Sequence, residues 1–191
     1  MPVSGTTEFY LIRHAPVAGD GRMYGRRDLP AVLDNAAATT LAGALPEHAR
    51  RIASPALRCR QTAEALWPGT PFDTDPALWE QDFGAWEGMA YTDLPDLGPL
   101  DGAALAAHRP PGGESFDDLC ARVFPCLAQL SEDPAPVVLI AHAGTIRAAL
   151  AWALAVTAPA LSFDIAPLSL TRITAIPGAG AIVNEVNRCP A

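Results

Sequence analysis

Residues 9–17, FYLIRHAPV, decide how the rest of this 191-residue chain is read. Phe9, Tyr10, Leu11 and Ile12 form a short run that is apolar on both faces, the pattern of a strand covered on both sides in the middle of a sheet. Arg13 and His14 follow at once, and Pro16 bars a regular continuation. A guanidinium and an imidazole therefore stand at the carboxyl end of a central strand, where open α/β sheets bind ligands. Taken alone, Arg-His at a strand end equally describes two ordinary polar residues. Its weight comes from matching clusters further along.

Three such clusters follow. Residues 136–141, PVVLIA, form a second buried strand that delivers His142, and AHAGTIRAAL then opens a helix. Gly144 lets the backbone approach a ligand closely, and the first N–H groups of that helix, around Ala143, Gly144 and Thr145, are unpaired by their own turn and can meet a phosphate oxygen. A lone histidine in that place is more often structural; two, each after a buried strand, point to one shared pocket. Residues 54–66, SPALRCRQTAEAL, again follow a short strand and open a helix. Arg58 and Arg60 are two apart and so face different sides. Arg58 lies nearer the less polar stripe of Leu57, Thr62, Ala63 and Leu66, which assigns it to the pocket, against the reading of two solvated arginines. In residues 78–88, LWEQDFGAWEG, Trp79, Phe83 and Trp86 surround Glu80, Asp82 and Glu87. A carboxyl against aromatic rings is partly desolvated, which favours the protonated form that a general acid needs. The competing reading is an aromatic lid with its carboxylates in water.

Around these clusters the elements alternate. Residues 18–30 are a loop rich in glycine and charge, 33–46 an alanine- and leucine-rich helix, 51–53 a short strand and 56–66 a helix stopped by Pro68 and Gly69. Residues 72–74 are an edge strand. Residues 76–113, dense in Pro, Gly and Asp, read as loops and short helices that cap a site. Ser115 is placed to N-cap a helix reaching Ser131, with Asp117 and Asp118 in its first turn. A helix over 145–155 and two strands, 168–176 and 181–187, around Pro177-Gly178-Ala179-Gly180 complete the chain. Strands separated by helices predict one domain over 1–191, a three-layer α/β/α sandwich whose terminal hairpin makes a mostly parallel sheet mixed.

Composition narrows the function. Half of the residues are apolar, enough for a sizeable core. A formal charge of −8 argues against nucleic acid or an anionic membrane as partner, so an anion site has to be a local basic pocket. No apolar run approaches a membrane span, and the opening MPVSGTTEFYLI lacks the basic and apolar regions of a secretory signal. Cys59, Cys120, Cys126 and Cys189 have no metal-ligand spacing; Cys120 and Cys126 read as small core residues of one helix. A reducing cytoplasm is the simplest location.

In this order the four clusters resemble the histidine phosphatase superfamily, with its phosphoglycerate-mutase-like fold. Residues 23–30, MYGRRDLP, and 110–123, PPGGESFDDLCARV, are similar to the alpha-ribazole phosphatase branch. The resemblance implies that His14 is the nucleophile that becomes phosphohistidine, that Arg13 and Arg58 clamp the phosphate, that His142 is the second histidine of the pocket, and that Glu80 protonates the leaving oxygen. Phosphate and substrate binding is assigned to Arg13, Arg58, His142, Ala143, Gly144 and Arg26, with Arg27 the alternative to Arg26. The chain departs from the family pattern at Ala15, where glycine is usual; at 31–40, which lacks Leu-Thr-x-x-Gly; and at 89–108. Forked guanidiniums suit the charged equatorial oxygens, a neutral imidazole is a competent nucleophile near pH 7, and this chemistry requires neither metal nor cofactor. The expected partners are a small phosphate ester, alpha-ribazole phosphate among them, and inorganic phosphate as product. Competing activities are a phosphoglycerate mutase, which usually carries longer insertions, a phosphoprotein phosphatase of the same fold, and a non-catalytic module that binds a phospholigand.

Overall fold

The computed structural model describes residues 5–190; residues 1–4 and 191, the ends of the expected domain, lie outside the described residues. Six strands form one sheet: β1 (Thr7–Arg13), β2 (Arg50–Ala53), β3 (Asp73–Thr74), β4 (Val137–Ala141), β5 (Leu170–Ile176) and β6 (Gly180–Arg188), in the order β3-β2-β4-β1-β5-β6. The pairs β3–β2, β2–β4 and β4–β1 are parallel, and β5 runs against both β1 and β6. The terminal hairpin thus makes the sheet mixed, as expected.

The apolar run of β4 is buried at every residue. Its alternation splits the core in two. Val137, Leu139 and Ala141 join Phe9 and Leu11 under α4 (Phe116–Leu130) and α5 (Ala143–Leu154). Val138 and Ile140 join Ile12 under α1 (Asn35–Ala42) and α2 (Leu57–Leu66). Three layers follow.

Helix ends obey local chemistry. Asp34 accepts from the N–H groups of Ala36 and Ala37, so α1 starts two residues later than its apolar pattern suggests. Ser115 and Asp118 form a reciprocal capping box on α4. Ala56 gives α2 no side-chain cap; Asp28, from the 18–30 loop, accepts from the Leu57 N–H at 2.6 Å instead. Residues 76–113 contain three short 3-10 turns and α3 (Gly102–Ala107), as their composition predicted.

Parallel register positions the site. Arg13 pairs with Ala141 and Ala53 with Ile140, so β1, β2 and β4 end at one edge. His14, Ser54 and His142 leave that edge together.

Candidate active site

The His14 ring is buried and lies 5.1 Å, centroid to centroid, from the His142 ring. His14 Nδ1 is 2.7 Å from the Ala15 carbonyl, which can only accept, so Nδ1 carries the proton and Nε2 the lone pair. That lone pair accepts from Arg58 Nε at 3.2 Å. Burial first, then the Arg58 charge, push the His14 imidazole down to about 3, so the ring is neutral at physiological pH.

Arg58, 2% exposed, stands between the two histidines. Its Nη2 donates to the Gly25 carbonyl at 2.6 Å and to His142 Nδ1 at 3.1 Å, and its Nη1 donates to the Arg27 carbonyl at 2.8 Å. The glycine- and charge-rich loop therefore grips this guanidinium with carbonyls while Asp28 caps its helix. A guanidinium cannot accept, so His142 holds its lone pair on Nδ1 and donates from Nε2 to Ser54 Oγ at 2.8 Å. Complete burial first, with the neighbouring His14 and the Arg58 charge disfavouring a second cation, holds the His142 imidazole far below the usual histidine range.

Arg13 donates from Nη1 to the Ile165 carbonyl at 2.5 Å, while its buried Nε has no partner among the described residues. Arg13, His14, Arg58, Glu80, Ala143 and Gly144 line one cavity of about 570 Å³. These expected residues thus meet there, and His142 closes the cluster from behind Arg58. Among the described residues no group of His, Cys, Asp or Glu is placed to hold a metal ion.

Two expectations need correction. The Gly144 N–H does not point at an open anion site; it donates to Glu80 Oε2 at 3.3 Å, while the Gln81 N–H holds Oε1 at 2.9 Å. Glycine leaves room there for the carboxylate, since a methyl group at 144 would displace Glu80 Oε1. Arg26 does not line the cavity. Its guanidinium is bound to Glu114 at 2.8 Å and lies 3.9 Å from Asp82, because a carboxylate within reach outcompetes an open pocket. Arg27 offers its carbonyl, not its charge, to the site.

Ala15, where the family usually has glycine, is fully buried in the α1–α2 core, and its N–H donates to Thr62 Oγ1 at 2.9 Å. Arg60, the other candidate of its pair, is exposed. Sequence reasoning passed over Ser54, whose place one residue beyond a parallel strand was the available signal. It also passed over Arg147 and Asp164 in the cavity wall, brought in by separate segments that carry no local signal.

The chain matches the family model described as histidine phosphatase superfamily (branch 1) over residues 9–188. Human 6-phosphofructo-2-kinase/fructose-2,6-bisphosphatase 4 is 36% identical over 115 residues, which cover 58% of this chain and 24% of that protein. The chain therefore spans about a quarter of the length of that curated relative. Two solved structures cover nearly all of it. A mycobacterial glucosyl-3-phosphoglycerate phosphatase superposes with a TM-score of 0.81 at 25% identity, over 96% of this chain and 99% of that one. The protein TTHB049 from Thermus thermophilus gives a TM-score of 0.70 at 34% identity, over 92% and 97%.

Proposed function

Because the chain belongs to the histidine phosphatase superfamily, branch 1, we infer that it hydrolyses small phosphate monoesters in two steps through a phosphohistidine at His14. One observation carries this reading: the His14 lone pair sits on Nε2, with Nδ1 tied to the Ala15 carbonyl, and Nε2 faces the Arg58 guanidinium.

An entering phosphate takes over the donors of Arg58 and meets the unpartnered Nε of Arg13. His142 turns its Nδ1 into a donor by exchanging tautomers, since the Ser54 hydroxyl can either accept from Nε2 or donate to it. His14 Nε2 then attacks phosphorus as the bond to the leaving oxygen breaks, and Glu80 delivers a proton to that oxygen. Positive charge rising on the imidazole is stabilised by the carbonyl on its Nδ1–H. In the second step Glu80 takes a proton from water as its oxygen attacks phosphorus, the P–Nε2 bond breaks with its electron pair returning to His14 Nε2, and inorganic phosphate leaves.

Substrate choice is assigned to residues 76–113 and to the loop at residues 22–28, whose Tyr91, Phe83, Tyr24 and Arg22 line the outer cavity. The relatives' names point to sugar and glycerate phosphates, whereas the resemblance of residues 23–30 and 110–123 pointed to alpha-ribazole phosphate. One screen decides between them: p-nitrophenyl phosphate, alpha-ribazole phosphate, phosphoglycerates, glucosyl-3-phosphoglycerate and fructose 2,6-bisphosphate. Turnover of p-nitrophenyl phosphate with an acid-labile label on His14 is expected, and the physiological class is the one with the highest kcat/KM. Absence of both turnover and label would make the domain a phospholigand-binding module. His14→Ala is expected to lose about a thousandfold or more in turnover. We also propose a cytoplasmic location, supported by four unpaired cysteines and tested by cell fractionation.

A further inference from the structure

Behind the carboxyl assigned to proton transfer stands an ionic cluster whose own charged groups, Arg26, Glu114 and Arg122, do not line the cavity. Arg122, on the second turn of α4, and Glu114, just before that helix, form a two-pronged pair. Arg122 Nε donates to Glu114 Oε1 at 3.1 Å and Nη2 donates to Oε2 at 3.1 Å. Both side chains are four-fifths buried. Arg122 spends its remaining reach on backbone: Nη1 donates to the Ala77 carbonyl at 2.7 Å and Nη2 donates to the Glu80 carbonyl at 2.9 Å. Arg26 binds Glu114 Oε1 and approaches the Glu80 carbonyl at 3.4 Å.

Glu114 holds the same segment from its other side. Its carboxylate accepts from the Asp82 N–H at 3.2 Å and its carbonyl from Gln81 Nε2 at 2.8 Å, while its own N–H donates to the Asp82 carbonyl at 2.7 Å. Residues 80–82 are thereby tied, one after another, to a single Arg–Glu pair. Burial raises the Glu114 carboxyl, but the hydrogen bonds and charge of Arg122, the Asp82 N–H and Arg26 outweigh it and leave Glu114 below its ordinary value. The pair is therefore charged at working pH, and bidentate Arg–carboxylate geometry is rigid. It is also anchored, since α4 is fastened at its start by the Ser115–Asp118 capping box. Residues 79–83 lack regular structure, so without this anchor their backbone, and the Glu80 carboxyl with it, could shift relative to the cavity.

We propose that Arg122, held in place by Glu114, is a positioning residue for proton transfer: it fixes the backbone of Glu80 so that the carboxyl can meet the leaving oxygen. The proposal rests on the reading of Glu80 as the proton donor. Displacement of a reacting group by about 1 Å can cost on the order of 100-fold, and the loss should appear only where the leaving group needs its proton.

The test compares kcat/KM for glycerol 2-phosphate, a poor leaving group, with p-nitrophenyl phosphate, a good one. Glu80→Gln alone is expected to lose far more on glycerol 2-phosphate. Arg122→Met should show the same selectivity, about 10- to 100-fold on glycerol 2-phosphate and less than about threefold on p-nitrophenyl phosphate. Arg122→Lys should restore much of the loss, and Arg122→Met added to Glu80→Gln should cost nothing further. Equal losses of Arg122→Met on both substrates, or a full additional loss on top of Glu80→Gln, overturn the positioning role while leaving Glu80 in place. Equal losses from Glu80→Gln alone remove the proton donor and Arg122 with it. Should Arg122→Met fail to fold by circular dichroism, Glu114→Gln, which keeps volume and removes charge, carries the same comparison.

Discussion

His14 is neutral because it is buried beside two guanidiniums, and this has a cost in acid. An unfolded histidine binds a proton near pH 6.5, whereas the folded one resists down to about 3. Between those values the unfolded chain binds more protons, so stability rises with pH through that window and is lost as pH falls. His142, held low by burial, has the same sign. His14→Ala is therefore expected to flatten the stability profile between pH 6 and pH 4 by about 1.4 kcal/mol per pH unit, one proton's worth, read as urea-unfolding free energies of both proteins across that range. Parallel profiles would mean that His14 titrates alike in the folded and unfolded chains, and that burial does not hold it neutral through that window. Arg58 could be told from Arg60 by its apolar neighbours on one helix. The fates of Arg26 and the Gly144 N–H could not, because their partners Glu114 and Glu80 lie 88 and 64 residues away, and spacing carries no information about which acceptor a long side chain reaches.

At the scale of elements, continuous apolar runs announced β1 and β4, and Ser115 announced α4. The reading erred mostly by one or two residues where a cap decides the boundary, as at Asp34. One feature of α4 sets a prediction. Pro125 sits inside the helix on its exposed side, where it cannot donate to the Ala121 carbonyl and its ring crowds that carbonyl. Helix continuity here comes from the buried face, on which Leu119, Cys120, Val123, Cys126, Leu127 and Leu130 pack against the sheet and α5. Pro125→Ala returns a hydrogen bond and removes the crowding, against a smaller gain in unfolded-state freedom of roughly 0.4–1 kcal/mol. The variant is expected to be more stable by about 1–2 kcal/mol in urea unfolding. No gain, or a loss, would show that the backbone constraint imposed by the ring is needed for α4 to meet α5.

At the scale of the whole molecule, an acidic chain gathers a half-buried Arg13 and a buried Arg58, from a strand end and a helix start far apart in sequence, beside two imidazoles held neutral. Alternating strands and helices made the layered class legible, but not the order β3-β2-β4-β1-β5-β6, which depends on crossovers that leave no periodic trace. That order is what places β2 beside β4 and so Arg58 beside His142. Concentrated positive charge opposes the unliganded fold, and a dianion that binds only the folded state must stabilise it. Inorganic phosphate at a hundred times its Kd contributes about 2.7 kcal/mol, which for a domain of this size raises Tm by roughly 5–11 °C. His14→Ala should keep that shift, because its partners retain their donors, whereas Arg58→Met should lose most of it. A Tm indifferent to phosphate in the unaltered protein would mean that the four segments do not form an anion pocket, since linkage requires a shift from any ligand that the folded state alone can bind.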